Sequence, residues 1–273
     1  MKINLVTVVG AYTETLEQML RHYRDLGITS LSVHINADSL DDELVARVRK
    51  LSSSLEADIA SVNVVPWSEA INPILYAMTR SEAPEEWFVL ADADEFQVYP
   101  DALSDVLDYC NRSGYDFVEG CFVDRIASNG TLKEVDSRED LWNQFPLGGC
   151  ISGPLLGAVI NKIVAAKGYV QVGRGQHHAR SGVGCPVSQL YVPVHHFKWT
   201  SGLPARLEER IRLYKRLGEG LWRESERFLN YYAAEQRIQI EDERFFLALC
   251  EPEYPFWSRL REWRIASSFF RVW

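Results

Sequence analysis

Trp87-Phe88-Val89-Leu90-Ala91-Asp92-Ala93-Asp94-Glu95-Phe96 is an apolar run that stops abruptly at three acids. A strand that is hydrophobic on both faces asks for burial on both faces, as in a parallel sheet covered by helices. In open α/β sheets the carboxyl ends of the strands form the rim where ligands bind. Carboxylates crowded at such an end repel one another unless a cation lies between them. Hard oxygen donors suit Mg2+ or Mn2+, and these ions commonly also hold substrate phosphates. A solvated acidic turn is the plainer alternative, but the buried strand in front of the acids weighs against it.

Working outward, the segment before this strand alternates strand and helix. Ile3 to Val9 is a β-branched strand ending at Gly10, and Leu16, Met19, Leu20, Tyr23 and Leu26 follow at helical spacing, closed by Gly27. Leu31 to Ile35 reads as a second strand, with a helical stripe from Leu40 to Leu51. Ile59 to Val65 is a third strand and Trp67 to Arg80 a third helix. After Trp87 to Ala91 comes a helix over Leu103 to Cys110. Repeated βα units predict a parallel sheet with right-handed crossovers.

Past residue 115 the rhythm changes. Tyr115 to Val123 is another strand, Asn129-Gly130 a turn, and Leu147 to Gly157 a Gly/Pro-rich loop. Ala158 to Ala165 and Gly168 to Val172 read as short strands, and Gln189 to Trp199 as a strand carrying two histidines. Helical stripes follow over Leu203 to Leu217, Trp222 to Ala234 and Glu243 to Leu249. The expected organisation is an α/β domain over residues 1–200, in two halves, 1–112 and 113–200. Residues 201–273 are expected to form a C-terminal helical extension.

A net charge of −9 and a pI near 5.3 disfavour a nucleic-acid binder, which needs a basic face. The five cysteines are widely spaced without a CxxC pair, so buried thiols in a reducing compartment are expected rather than zinc or disulfides. No signal-peptide pattern and no apolar run near the ~20 residues of a membrane span are found. The expected location is cytoplasmic. The segment Phe256 to Ala266 mixes aromatic and basic residues, which leaves open peripheral contact with a membrane surface or a homodimer; packing on the domain is the simpler role.

Val194-His195-His196-Phe197-Lys198-Trp199 is a second chemical cluster. Alternation along a strand puts His196 and Lys198 on one face and His195 and Phe197 on the other. A neutral imidazole completes the coordination of Mn2+ well, and a lysine two residues on can meet a phosphate oxygen. A third cluster, Gly173-Arg174-Gly175-Gln176-His177-His178, offers Arg174 for an anion and His177 as the rival metal ligand. Rim positions add substrate-binding candidates. They are Thr7, Val8, Gly10 and Tyr12 after the first strand, Asn36 and Asp38 after the second, Trp67 after the third, and Ala91, Ala93 and Glu95 around the acids. Asp38 is equally suited to cap the next helix. The absence of GxGxxG and GxxxxGK[ST] argues against a dinucleotide enzyme and a P-loop NTPase.

These residues together resemble bacterial glycosyltransferases of the family-two-like group. The shared features are the strand with Asp92-Ala93-Asp94-Glu95-Phe96, the early βα units, Gly120 to Arg125, and His195 to Trp199. The resemblance spans roughly residues 3–216. It implies a GT-A fold: Rossmann-like α/β, with a mostly parallel central sheet flanked by helices. It further implies a nucleotide-diphosphate-sugar donor, a small-molecule or glycan acceptor, and a divalent cation. By that likeness Asp94 is the direct metal ligand, Asp92 contacts the ribose or the metal, and His196 is the third ligand. Lys198 would meet the diphosphate, although the proline that precedes the tryptophan in related tails is absent here.

The chemistry needs negative charge stabilised on the departing β-phosphate, which a divalent cation and a lysine or arginine supply. In-line, inverting transfer also needs a base for the acceptor hydroxyl. Asp124, at the end of the strand after the acidic turn, is the preferred base; Glu119, Glu134, Asp136 and Asp140 are the others. Two other classes fit the same residues. One is a metal-dependent phosphoesterase or nucleotidyltransferase, the other a non-catalytic nucleotide-sugar-binding protein.

Overall fold

The computed structural model describes residues 1–10, 12–67, 70–218, 220 and 222–251. In chain order the elements are β1 (Ile3–Val9), α1 (Leu16–Asp25), β2 (Ser30–Ala37), α2 (Glu43–Ser54), β3 (Asp58–Val64) and α3 (Ile71–Ser81). Then come β4 (Trp87–Leu90), β5 (Glu95–Gln97), α4 (Leu103–Ser113), β6 (Phe117–Ile126), α5 (Leu141–Gln144) and β7 (Leu147–Gly149). The rest are α6 (Ser152–Leu156), β8 (Asn161–Lys167), β9 (Val192–His196), α7 (Leu203–Leu217), α8 (Trp222–Glu235) and β10 (Ala248–Leu249). The aromatic and basic segment Phe256 to Ala266 lies outside the described residues. Among the described residues no helix is long and apolar enough to cross a membrane.

The described residues form two compact units, residues 1–121 with 161–194 and residues 122–160 with those from 195 to 251. In the first, β1 pairs in parallel with β2 and β4, and β2 in parallel with β3. Each crossover carries an amphipathic helix, so the βα alternation read from the sequence appears as the expected α/β sheet. β8 then joins antiparallel to β4 and to the first half of β6. Between β6 and β8 the connecting helices α5 and α6 have only four and five residues.

One face of this sheet packs Val6, Val8, Phe88 and Leu90 against Leu75 and Tyr76 of α3. β4 is buried at all four positions, as its unbroken apolar composition demands. Gly120 is needed where it stands: a Cβ there would lie 2.4 Å from the Val192 carbonyl oxygen and 2.6 Å from a Val164 methyl.

In the second unit the outer half of β6 pairs antiparallel with β7, and β7 with β10. Ile126, Ile151, Leu155 and Leu156 share one core with Trp199, Leu203, Leu207, Phe228, Ile238 and Phe245. The helices after residue 200 are packed into the same unit as residues 122–160. Trp199 and Phe145 are core residues.

Four local readings change. Leu147 to Gly157 is not a loop: it holds β7 and α6, with Gly157 in the left-handed region closing the helix. Gly168 to Val172 is not a strand. The Arg80 guanidinium takes the carbonyls of Lys167, Gly168 and Val170, oxygens that a ladder would have used. Glu243 to Leu249 is a single 3-10 turn followed by β10, because Phe246 adopts positive φ and ends the turn. Helix α2 starts at Glu43 with Asp42 as its cap, leaving Asp38 exposed and uninvolved in capping. All five cysteines are free, buried thiols.

Candidate functional site

The acidic turn sits at the carboxyl end of β4, next to the end of β1, with Val6 opposite Leu90 in the parallel register. Its shape is held by specific bonds. Thr15, at the start of α1, donates to the Ala93 carbonyl at 2.8 Å, and Tyr23 donates to the Glu95 carbonyl at 3.0 Å. The Asp92 backbone N–H donates to Glu95 Oε2 at 3.1 Å, and Glu95 N–H to the Asp92 carbonyl at 3.1 Å. The two ends of the Asp-Ala-Asp-Glu turn are therefore tied to each other.

A residue the sequence did not single out lies underneath. Lys162 of β8 is buried, with Nζ 2.8 Å from Glu95 Oε1 and 3.5 Å from Asp92 Oδ2. Tyr76 donates to Asp92 Oδ1 at 3.0 Å and Gln176 to the same oxygen at 3.4 Å. Burial alone would raise the Asp92 pKa, but the Lys162 charge and the bonds from Tyr76 and Gln176 outweigh it and hold the carboxyl below its ordinary value. Burial would likewise lower the Lys162 pKa. Glu95, Asp92 and Asp94 override it, so the ammonium is held charged. Glu95, expected at the substrate, is turned inward onto Lys162 and positions the turn instead. Asp94 is half-buried at the rim, and one of its oxygens lies within 4.8 Å of a Glu95 oxygen.

Around this turn the other rim candidates have different environments. Thr7 is buried, and among the described residues its hydroxyl has no hydrogen-bond partner. Val8 is a core residue whose side chain cannot meet a ligand. A Cβ on Gly10 would sit 3.3 Å from the Trp67 ring, so Trp67 lies directly over the end of β1. Tyr12 is half-buried. Asn36 is buried and donates to the Val65 carbonyl at 3.0 Å. Ala91 and Ala93 are buried, which fits backbone rather than side-chain contacts. Arg174 is exposed at the start of a 3-10 turn.

His177 is brought to the same neighbourhood. Its Nδ1 lies 2.8 Å from the Asn161 carbonyl. A carbonyl only accepts, so the proton is on Nδ1 and Nε2 carries the lone pair. Burial and then the nearby Lys162 charge push its pKa down to about 4. Burial also lowers His22 and His34. A histidine depressed in the folded state gives stability that is complete above its unfolded value near 6.5 and is lost as pH falls toward the folded value. For His177 the window runs from about 6.5 to about 4 and is worth about 3 kcal/mol. Denaturant melts between pH 7.5 and 4 are expected to show this acid slope, and His177→Gln is expected to flatten it. An unchanged slope in that variant would refute the assignment.

In the second unit Asp124, the expected base, lies near the end of β6. It is fully buried and accepts from the backbone of Ile151 (2.8 Å) and Ser152 (2.5 Å), from Ser152 Oγ (2.7 Å) and from His196 Nδ1 (2.9 Å). Burial would raise its pKa; the bond and charge of His196 and the Ser152 N–H hold it below the ordinary value. The carboxylate is thus fully buried and faces the start of α6 and the His196 ring. His196 stacks on Phe122 at 4.2 Å between ring centroids. With Nδ1 bonded to Asp124, Nε2 is the nitrogen directed away from that carboxylate. His195 and Phe197 both meet the Trp142 ring edge-on, at 4.7 and 5.1 Å, which confirms that they share a face. Lys198 is half-buried, and its carbonyl accepts from Arg206. Of the other base candidates, Asp136 is paired with Arg138 and Asp140 caps α5; Glu134 is exposed and Glu119 half-buried.

No protein-family model matches this chain, and no curated protein does. Solved structures do. The mannosyltransferase PcManGT from Pyrobaculum calidifontis, in complex with GDP-Man and Mn2+, is 14% identical over all of this chain and 87% of that one, with a TM-score of 0.41. S. aureus TarS 1-349 is 12% identical over 89% of this chain and 77% of that one, with a TM-score of 0.39. The chain spans about half, 53%, of the longer TarS structure. The 4-diphosphocytidyl-2C-methyl-D-erythritol synthase is 11% identical over 62% and 76%, with a TM-score of 0.33. At such scores, however, the likeness carries no argument about what this chain does, and its own residues must.

Proposed function

We propose that this chain is a glycosyltransferase of GT-A type that takes its sugar from a nucleotide diphosphate, with the donor at the carboxyl rim of β1, β2 and β4. The observation that supports it most is the acidic turn itself. A buried parallel strand delivers Asp92 and Asp94 to the rim, and a bonded framework beneath holds them there. Asp92 is occupied by Tyr76, Lys162 and Gln176, so Asp94 is the residue proposed to ligate Mn2+ or Mg2+. The all-oxygen donors and the half-buried rim position suit such an ion. Within the second unit Asp124 fixes the tautomer of His196, as carboxylates do for metal-binding histidines.

When bound, the cation would act as a Lewis acid toward the charge that gathers on the β-phosphate. The protein's own parts are assigned as follows. Trp67, packed over Gly10, offers a flat apolar surface for a base, with Thr7, Tyr12, Asn36 and Asp38 as polar rim groups. Arg174 is the cation proposed for phosphate oxygens. No general base is assigned, because Asp124 faces inward.

The test is a thermal-shift screen of nucleoside diphosphates and their sugars with and without Mn2+, followed by product analysis. A ligand that binds only the folded chain raises the melting point. Metal-dependent stabilisation by one nucleotide, with release of its diphosphate, is the expected result. Release of monophosphate or pyrophosphate would instead place the protein among phosphoesterases or nucleotidyltransferases. Binding without turnover would make it a nucleotide-sugar-binding protein.

A further inference from the structure

Lys162 is among the most deeply buried charged groups of the first unit, and it lies under the acidic turn. Its ammonium touches two of the three carboxylates there and is in the field of the third. Glu95, its closest partner, is just as buried and also accepts the Asp92 N–H, so lysine, glutamate and turn form one closed unit. A buried glutamate without a partner would be costly, so a cation is required at this place whether or not metal is bound. With Lys162 in position, Asp92, Asp94 and Glu95 present the net charge that one divalent ion balances.

We propose that Lys162 is a permanent counter-cation of the acidic turn. It fills the inner position between Glu95 and Asp92, leaves Asp94 as the carboxylate of the turn for metal, and makes the resting site a weak one until a diphosphate adds its own oxygens. Lys162 is thus a positioning residue, and the inference rests on the reading of Asp94 as metal ligand.

The test is Lys162→Met, compared with the unaltered protein and with Lys162→Arg in thermal melts with about 5 mM Mn2+ or with chelator and no nucleotide. The unaltered protein and Lys162→Arg are expected to shift by less than about 2 °C with Mn2+ alone. Lys162→Met is expected to melt about 8 °C lower and to regain at least about half of that loss with Mn2+, because the ion takes the ammonium's place. A merely structural lysine would give the loss without the recovery, and that result would overturn the proposal. If Lys162→Met does not fold in chelator, purification in Mn2+ decides: folded protein in Mn2+ only supports the proposal, and none in either condition overturns it. The broader reading fails separately, if the unaltered protein shows no Mn2+-dependent binding of any nucleoside diphosphate.

Discussion

On the proposed function, an Asp94→Asn variant is expected to lose sugar transfer by about a thousandfold while melting within about 2 °C of the unaltered protein. The two halves of this expectation have separate causes. The amide keeps the size and one acceptor of the carboxylate but removes the charge that would hold a divalent ion, and with it the stabilisation of the departing diphosphate. Stability is spared because Asp94 stands at the rim, half-buried, while the bonds that shape the turn come from Asp92, Glu95, Thr15 and Tyr23. Asp92→Asn is a useful contrast. It weakens the contact with Lys162 and should lower both activity and melting point. Turnover of Asp94→Asn at the unaltered rate, or full activity in excess chelator, would remove metal from the proposed chemistry.

The second large effect concerns stability. Asp124→Ala is expected to cost about 3–5 kcal/mol and to lower the melting point by about 10 °C. Ile151 N–H, Ser152 N–H, the Ser152 hydroxyl and His196 Nδ1 would all lose their acceptor in a buried place. Asp124→Asn is a sharper probe. Its amide nitrogen would face donors, so it should also destabilise. Were Asp124→Asn to fold with unchanged stability and lose only turnover, the positioning role would be wrong and the general-base role would return.

How much of this was legible beforehand depends on the distance over which each feature is determined. Strands β1 to β4 and helices α1 to α4 follow from runs and stripes within a dozen residues, and a helix or strand is visible over that range. Some readings change where a distant group intervenes. Gly168 to Val172 has the composition of a strand, but Arg80 draws its carbonyls away. Asp124 was correctly placed at the end of a strand, yet the N-terminal N–H groups of α6 and the His196 ring capture both of its oxygens. The His196 tautomer could not be read without knowing that partner.

What the amino-acid order determined by itself is the apolar strand that ends in Asp92-Ala93-Asp94-Glu95, and hence acids at a sheet rim. Both are properties of neighbouring residues. What only the tertiary structure decided is how that charge is borne. Lys162, 70 residues beyond Asp92, reaches the turn because β8 enters antiparallel beside β4, a pairing set by packing and register between distant strands. The ion balance of the site therefore belongs to the fold, while the position of its acids belongs to the chain.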